Sequence, residues 1–216
     1  MAGAGIPMWN PIELLHEGAE ATVTAGRWMG KPAVLKMRRA RGYRHPDLDR
    51  KLTRSRLSVE VRVLGRLQRS SFPSPALFDC DVEESWILIS RIDSRPLYEA
   101  ISDGSVGSET MEDVGALIRR LHEEEISHGD MTTHNILIDS SGNLSMIDFG
   151  LARVSPELEH MGLDLQVLNE CLTASHSELE GAVDSVVRGY LDSGNDEAGN
   201  VVSRFESIRG RVRYHG

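Results

Sequence analysis

Ile12 to His16, Thr22 to Trp28 and Pro32 to Met37 are short runs mixing apolar and β-branched residues, with glycine-containing turns between them. Such runs bounded by turn residues predict three short strands. From Pro46 to Arg69 the pattern is helical: Leu48, Leu52, Val59, Val63 and Leu67 fall at helical spacing with charges between them. Pro46 suits the first turn of that helix, and Phe72-Pro73-Ser74-Pro75 ends it. Ala76 to Asp81 and Trp86 to Ile92 read as a strand pair around Glu83-Glu84. Beyond them the pattern is mainly helical. Met111, Val114, Leu117, Ile118 and Leu121 form one stripe, Leu179, Ala182, Val183, Val186, Val187 and Tyr190 a second, and Ala198, Val201, Val202, Phe205 and Ile208 a third. Ile136-Leu137-Ile138 and Leu144-Ser145-Met146-Ile147 flank the turn Ser140-Ser141-Gly142-Asn143 and read as a β-hairpin. Strands first and helices later, joined through Asp93-Ser94-Arg95-Pro96, fit an α+β plan of two lobes. The stripes are core by default.

At 216 residues the chain can bury a real core, and its net charge of −9 argues against a general nucleic-acid binder. The charge is uneven. Lys36, Arg38, Arg39, Arg41, Arg44, Arg50, Lys51, Arg54 and Arg56 lie in one stretch against only Asp47 and Asp49, and Arg209-Gly210-Arg211-Val212-Arg213 is basic too. Such surfaces read equally as a docking site for a phosphate-rich ligand or as a solvated helix face. Cys80 and Cys171 stand apart without a C-x-x-C spacing, as buried small hydrophobes in a reducing compartment do. Met1 to Pro11 lacks the pattern of a secretory leader, and no run approaches the ~20 apolar residues of a membrane span. The expectation is a cytoplasmic protein with no membrane association.

The chemistry concentrates in His128-Gly129-Asp130-Met131-Thr132-Thr133-His134-Asn135 and, thirteen residues on, Asp148-Phe149-Gly150. Phosphoryl transfer needs Mg²⁺ held against the phosphates and a carboxylate beside the attacking hydroxyl. In the protein-kinase pattern the first Asp faces the nucleophile, the Asn five positions later takes a metal, and the Asp of D-F-G takes metal too. Asp130, Asn135 and Asp148 fill these places, and the predicted hairpin would bring the two metal-binding ends together. Upstream, Ala33-Val34-Leu35-Lys36 matches the strand that presents an ammonium to the α- and β-phosphates. Glu60 on the predicted helix is placed to orient it. Gly18-Ala19-Glu20-Ala21 sits where a kinase keeps its glycine-rich loop, although G-x-G-x-x-G is not matched. Ile92 is counted with these nucleotide-binding residues. A zinc pair of His128 and His134 is disfavoured, since no cysteine is close in sequence.

Three departures from an ordinary protein kinase stand out. Gly129 replaces the arginine of H-R-D, Thr132 stands where a substrate-facing lysine is usual, and no A-P-E follows D-F-G. With 66 residues after Gly150, the part that grips peptide substrates must be largely missing. Asp164 is a candidate buried anchor for the catalytic loop.

Gly18-Ala19-Glu20-Ala21, Tyr43-Arg44-His45-Pro46-Asp47-Leu48-Asp49, Arg54, Glu60, the stretch from His128 to Asn135, Asp148-Phe149-Gly150-Leu151 and the basic terminus resemble, in order, the small atypical kinase of the KEOPS complex. The resemblance implies a minimal bilobal protein-kinase-like fold, α+β, with a β-rich N-lobe over 1–92, a truncated helical C-lobe over 93–208 and a flexible basic tail over 209–216. It implies ATP and Mg²⁺ as ligands and Ser/Thr autophosphorylation in vitro. It also implies ATP hydrolysis supporting a partner that synthesises threonylcarbamoyladenosine in tRNA, a second small subunit on the N-lobe, and tRNA reached through the complex and the tail. One position departs from the family: Glu159-His160-Met161-Gly162-Leu163 lacks the lysine usual ahead of the residue matched to Asp164. A RIO-type kinase is the competing enzyme, although D-F-G stands where that group resembles I-D-x-x-Q. A pseudokinase scaffold is opposed by the intact catalytic set. An aminoglycoside-type kinase shares H-G-D but needs a larger C-lobe pocket.

Overall fold

The computed structural model describes residues 5–18, 21–39, 45–192 and 196–213. The chain divides into two compact units, Met1–Ile92 and Asp93–Gly216.

In the first unit, β1 (Trp9–Glu17), β2 (Ala21–Trp28), β3 (Lys31–Arg38), β4 (Leu77–Asp81) and β5 (Trp86–Ser90) form an antiparallel sheet in the order β1-β2-β3-β5-β4. Alternation along β3 turns Ala33 and Leu35 into a cluster with Ile6 and Leu88, and Leu35 lies opposite Leu88 on β5. Trp28 stacks on Phe78 with ring centroids 5.5 Å apart, and both close the edge of that cluster.

The helix α1 (Pro46–Arg69) packs on β4 and β5. Its inner face is not the one the leucine spacing predicts. Leu48 and Leu52 are exposed, whereas Asp49, Leu57, Glu60, Val63, Leu64 and Leu67 are buried. The inner stripe includes two carboxylates, so counting apolar residues alone rotates the helix wrongly.

The second unit holds β6 (Arg95–Pro96), α2 (Leu97–Ser102), α3 (Thr110–Glu123), β7 (Ile126–Ser127), β8 (Ile136–Ile138) and β9 (Leu144–Met146). Then come β10 (Arg153–Val154), α4 (Leu158–Ser175), α5 (Ala182–Asp192) and α6 (Asp196–Arg213). The sequence pattern does not reveal α4. Its buried set mixes Met161, Leu165, Leu168 and Leu172 with Gly162, Asp164 and Gln166, while Leu158 and Leu163 face solvent. Its start is set by a reciprocal cap between Glu157 and His160, in which the Glu157 N–H donates to His160 Nδ1 at 3.2 Å. The predicted tail from 209 is also corrected: α6 runs on to Arg213. Arg209 pairs with Glu206 at 2.9 Å and lies 5.4 Å from the Phe205 ring, contacts that hold the last turns in helical form. Residues 214–216 lie outside the described chain.

The helices α3 and α5 cross with backbones in close contact. A Cβ on Gly115 would lie 2.0 Å from the Val186 carbonyl oxygen, and one on Gly189 would lie 1.8 Å from that of Glu112. Only backbone occupies those points, so neither side can yield by changing a rotamer. Gly115→Ala is therefore expected to destabilise the protein by about 1–3 kcal/mol or more. Gly199→Ala on α6, where an added Cβ meets nothing within 4 Å, should stabilise slightly. Urea denaturation of the two variants checks the contrast.

Candidate active site

In the first unit the period of two along β3 places Lys36 and Arg38 on one face. Both reach the buried carboxylate of Glu60 on α1: Lys36 Nζ donates to Oε1 at 3.0 Å and Arg38 Nη2 to Oε2 at 2.7 Å. The pairing of Lys36 with Glu60 is the one the sequence suggests; Arg38 is a second cation, whose signal is the strand period, since a residue two past Lys36 shares its face. Two cations thus share one carboxylate at the end of β3. Arg38 Nε is buried without a hydrogen-bond partner. An anion docked here would offset that cost.

In the second unit β8 and β9 pair in the register Ile136↔Met146, and the Ile147 N–H donates to the Asn135 carbonyl at 3.0 Å. Asn135 and Asp148 thus stand at the same end of one hairpin. Asn135 Nδ2 donates to the Asp130 backbone carbonyl at 2.8 Å and to Asp130 Oδ2 at 3.0 Å. Asp148 is exposed and takes a left-handed φ of 62°, a conformation unusual for a non-glycine residue. Phe149 beside it is fully buried, its ring 5.1 Å from that of His128. Within D-F-G the phenyl anchors the turn and the carboxylate faces out.

His128 ties these pieces together. The Asp130 N–H donates to Nδ1 at 3.3 Å, so the proton sits on Nε2, which donates to the Ile147 carbonyl at 3.0 Å. One ring therefore links Asp130 to the residue before Asp148. Asp164, 1 % exposed on α4, accepts from the His128 N–H at 2.6 Å and the Gly129 N–H at 2.8 Å. It also accepts from His122 Nε2 at 3.1 Å, and His122 Nδ1 in turn accepts from the Tyr190 hydroxyl at 2.7 Å. Burial pushes the Tyr190 phenol up to about 12, consistent with its acting as a donor. The sequence points to Asp164 but to neither His122 nor Tyr190, which are 42 and 68 residues from their partners along the chain.

Gly129 has its own reason for being there. Its φ is +78°, and a Cβ would lie 2.3 Å from the Leu151 carbonyl oxygen. An arginine at this position is excluded by that contact, not merely absent. Just beyond, β10 pairs with β7 (Arg153↔Ser127, Val154↔Ile126) and the Ser155 N–H donates to the Glu125 carbonyl at 2.9 Å. Backbone hydrogen bonds thus tie the segment after D-F-G to β7 without a phosphate. Phosphatase treatment is expected to leave ATP turnover unchanged within twofold, whereas Gly129→Ala should lower it severalfold. A phosphatase-induced loss that rephosphorylation between Leu151 and Asp164 restores would contradict this.

The remaining predicted site residues are less informative. The Gly18 N–H donates to the Ala21 carbonyl at 2.9 Å, and Ala21 is buried in β2 opposite Arg38. Ala19 and Glu20 lie outside the described residues. Ile92 is half-buried just past β5. Asn135 and Asp148 supply one neutral and one anionic oxygen. That donor set suits a Mg²⁺ completing its octahedron with phosphate and water.

The fold and this constellation define a protein-kinase-like protein. A family model described as "Protein kinase domain" matches residues 83–174. Among solved structures, the Rio2 kinase–ADP/Mg²⁺–phosphoaspartate complex from Chaetomium thermophilum superposes with a TM-score of 0.64 over 95% of this chain and 73% of its own, at 18% identity. A second Rio2 kinase structure from the same organism gives 0.60. Those likenesses concern the fold. The EKC/KEOPS complex subunit Tp53rkb of Mus musculus is 30% identical over 213 residues, spanning 94% of this chain and 87% of that protein. The probable bifunctional tRNA threonylcarbamoyladenosine biosynthesis protein of Methanothermobacter thermautotrophicus is 37% identical over 212 residues, and its Methanobrevibacter smithii counterpart 32% over 205. The chain covers only 38% and 37% of those two longer proteins. It belongs to the family of kinase-like EKC/KEOPS complex subunits.

Proposed function

We propose that this chain binds ATP with Mg²⁺ and transfers the γ-phosphoryl group to water or to a Ser/Thr hydroxyl, in support of threonylcarbamoyladenosine formation in tRNA by a partner synthase. The observation that carries it is the hydrogen-bonded set of Asp130, Asn135 and His128 at the hairpin end that also bears Asp148. In this reading Asn135 and Asp148 hold the metal, which when bound neutralises charge on the β- and γ-phosphates. Asp130 Oδ2 is engaged by Asn135. Oδ1 is then the oxygen that accepts the proton of the attacking water or hydroxyl. Within the first unit, Lys36, kept extended by Glu60, and Arg38 beside it are cations of the kind that meet phosphate oxygens. Names of relatives supply the tRNA context. A second small subunit on the N-lobe and the cytoplasmic setting belong to the same reading. Among the described residues, no helix is long and apolar enough to cross a membrane.

The test is turnover of [γ-³²P]ATP by the purified chain, with and without the partner synthase and a tRNA transcript, resolving labelled protein from free phosphate. Free phosphate rising above labelled protein in the complete mixture supports the ATPase reading. Absence of both products in every mixture would leave a scaffold without turnover.

A further inference from the structure

The outer face of α1 is unlike the rest of the molecule. At 3.6 residues per turn, Arg50, Lys51, Arg54, Arg62, Arg66 and Arg69 fall within an arc of about 160°, opposite the buried face. Arg50, Lys51, Arg62 and Arg69 are exposed, and Arg54 and Arg66 are half-buried. From Arg50 onward that arc carries no acidic residue, because Glu60 points inward. Arg54 pairs off the helix with Glu83. Yet the whole chain has a net charge of −9.

Helix stability does not account for this arrangement. A solvated helix gains from opposite charges four residues apart, but Arg50 and Arg54, and likewise Arg62 and Arg66, repel at that spacing. The helix dipole favours Arg66 and Arg69 in the last turn but gives nothing to Arg50, Lys51, Arg54 and Arg62. An anion along the face would offset their mutual repulsion. Its length from Arg50 to Arg69 is about 28 Å at 1.5 Å per residue, several times the reach of a single phosphate. A track of that length matches a polyphosphate backbone. Between the cations stand Ser55, Ser58, Val61, Gly65 and Gln68. Leu48 and Leu52 are exposed at its first turns and Val61 is half-buried, but Leu57, Val63, Leu64 and Leu67 face the domain interior, which leaves little to insert into a bilayer.

We propose that the outer face of α1 is a docking surface for the sugar-phosphate backbone of a structured RNA. The proposal rests on the tRNA part of the reading above and deepens it. Arginine predominates, five of the six, and its planar, multi-donor head suits phosphate oxygens. The contact reads no sequence; it positions the RNA. Because Glu60 lies on the inner face of the same helix, an RNA seated outside bears on the element that orients Lys36.

The experiment measures affinity for a tRNA transcript against salt concentration, using the full chain. One variant combines Arg50→Gln, Lys51→Gln, Arg62→Gln and Arg69→Gln, substitutions that keep helix propensity. A control removes exposed cations from the sheet: Arg27→Gln, Lys31→Gln and Arg91→Gln. The α1 variant is expected to bind at least tenfold more weakly at low salt. Its slope of log affinity against log salt should be shallower by about 3, as four released phosphate contacts require. The control should stay close to the parent, and both variants should hydrolyse ATP without RNA at the parental rate. Equal affinity and slope for the α1 variant and the control overturn the proposal. So does parental binding to phosphatidylserine vesicles, lost in the α1 variant, with no tRNA binding at all. An intact salt response with no ATP turnover would instead sink the phosphoryl-transfer reading and leave the RNA surface standing.

Discussion

Asp130→Ala is expected to lower ATP turnover and autophosphorylation together by ~10²–10⁴-fold, the range associated with losing a positioned general base. The side chain is half-buried and bound by Asn135 Nδ2, which also holds the Asp130 carbonyl. Removing the carboxylate therefore leaves the loop tethered through its backbone. Stability should fall by under ~1 kcal/mol, since the lost side-chain hydrogen bond is a single, partly solvated one. Steady-state turnover and urea denaturation on the same preparation separate the two effects. A variant that turns over ATP at the parental rate would remove Asp130 from the mechanism and favour a binding role for the fold.

Asp164→Ala should behave differently, because its carboxylate is almost wholly buried and accepts three hydrogen bonds. The His128 and Gly129 N–H groups and His122 Nε2 would lose their acceptor at once. Orphaning buried donors and dismantling a charged network of this kind costs about 3–5 kcal/mol. The start of the catalytic loop is then no longer tied to α4, so activity should drop at least tenfold in whatever fraction stays folded. Asp164→Asn retains one acceptor oxygen and the side-chain volume, and should recover part of both losses. If Asp164→Ala were as stable as the parent, the network would be incidental to the fold.

Much of this was legible in the chain because the informative contacts are local. Asp130, Asn135 and Asp148 fall within nineteen consecutive residues, and the turn at Ser140 to Asn143 with apolar flanks is enough to fold them back. Lys36 at the end of an apolar strand is a similarly local signal. The predicted elements β1 to β5, α1, α3, α5 and α6 all exist, although α5 begins at Ala182, after Leu179 rather than at it. The helix α4 escaped notice because buried Asp164 and Gln166 interrupt its apolar period. That burial is repaid by partners on other elements, which no local window contains.

What the sequence determined by itself, then, is the order of strands and helices and the identity of the acidic and amide groups, since periodicity and motif spacing act over a few residues. Only the tertiary structure decided which face of α1 turns inward, because Asp49 and Glu60 outrank Leu48 and Leu52 there and the partner of Glu60 lies on another element. It likewise decided that Arg38 joins Lys36, that Tyr190 and His122 stand behind Asp164, and that Gly115, Gly129 and Gly189 cannot carry a side chain. Each of those depends on atoms brought to within 4 Å from tens of residues away, a proximity that chain packing creates and sequence spacing does not encode.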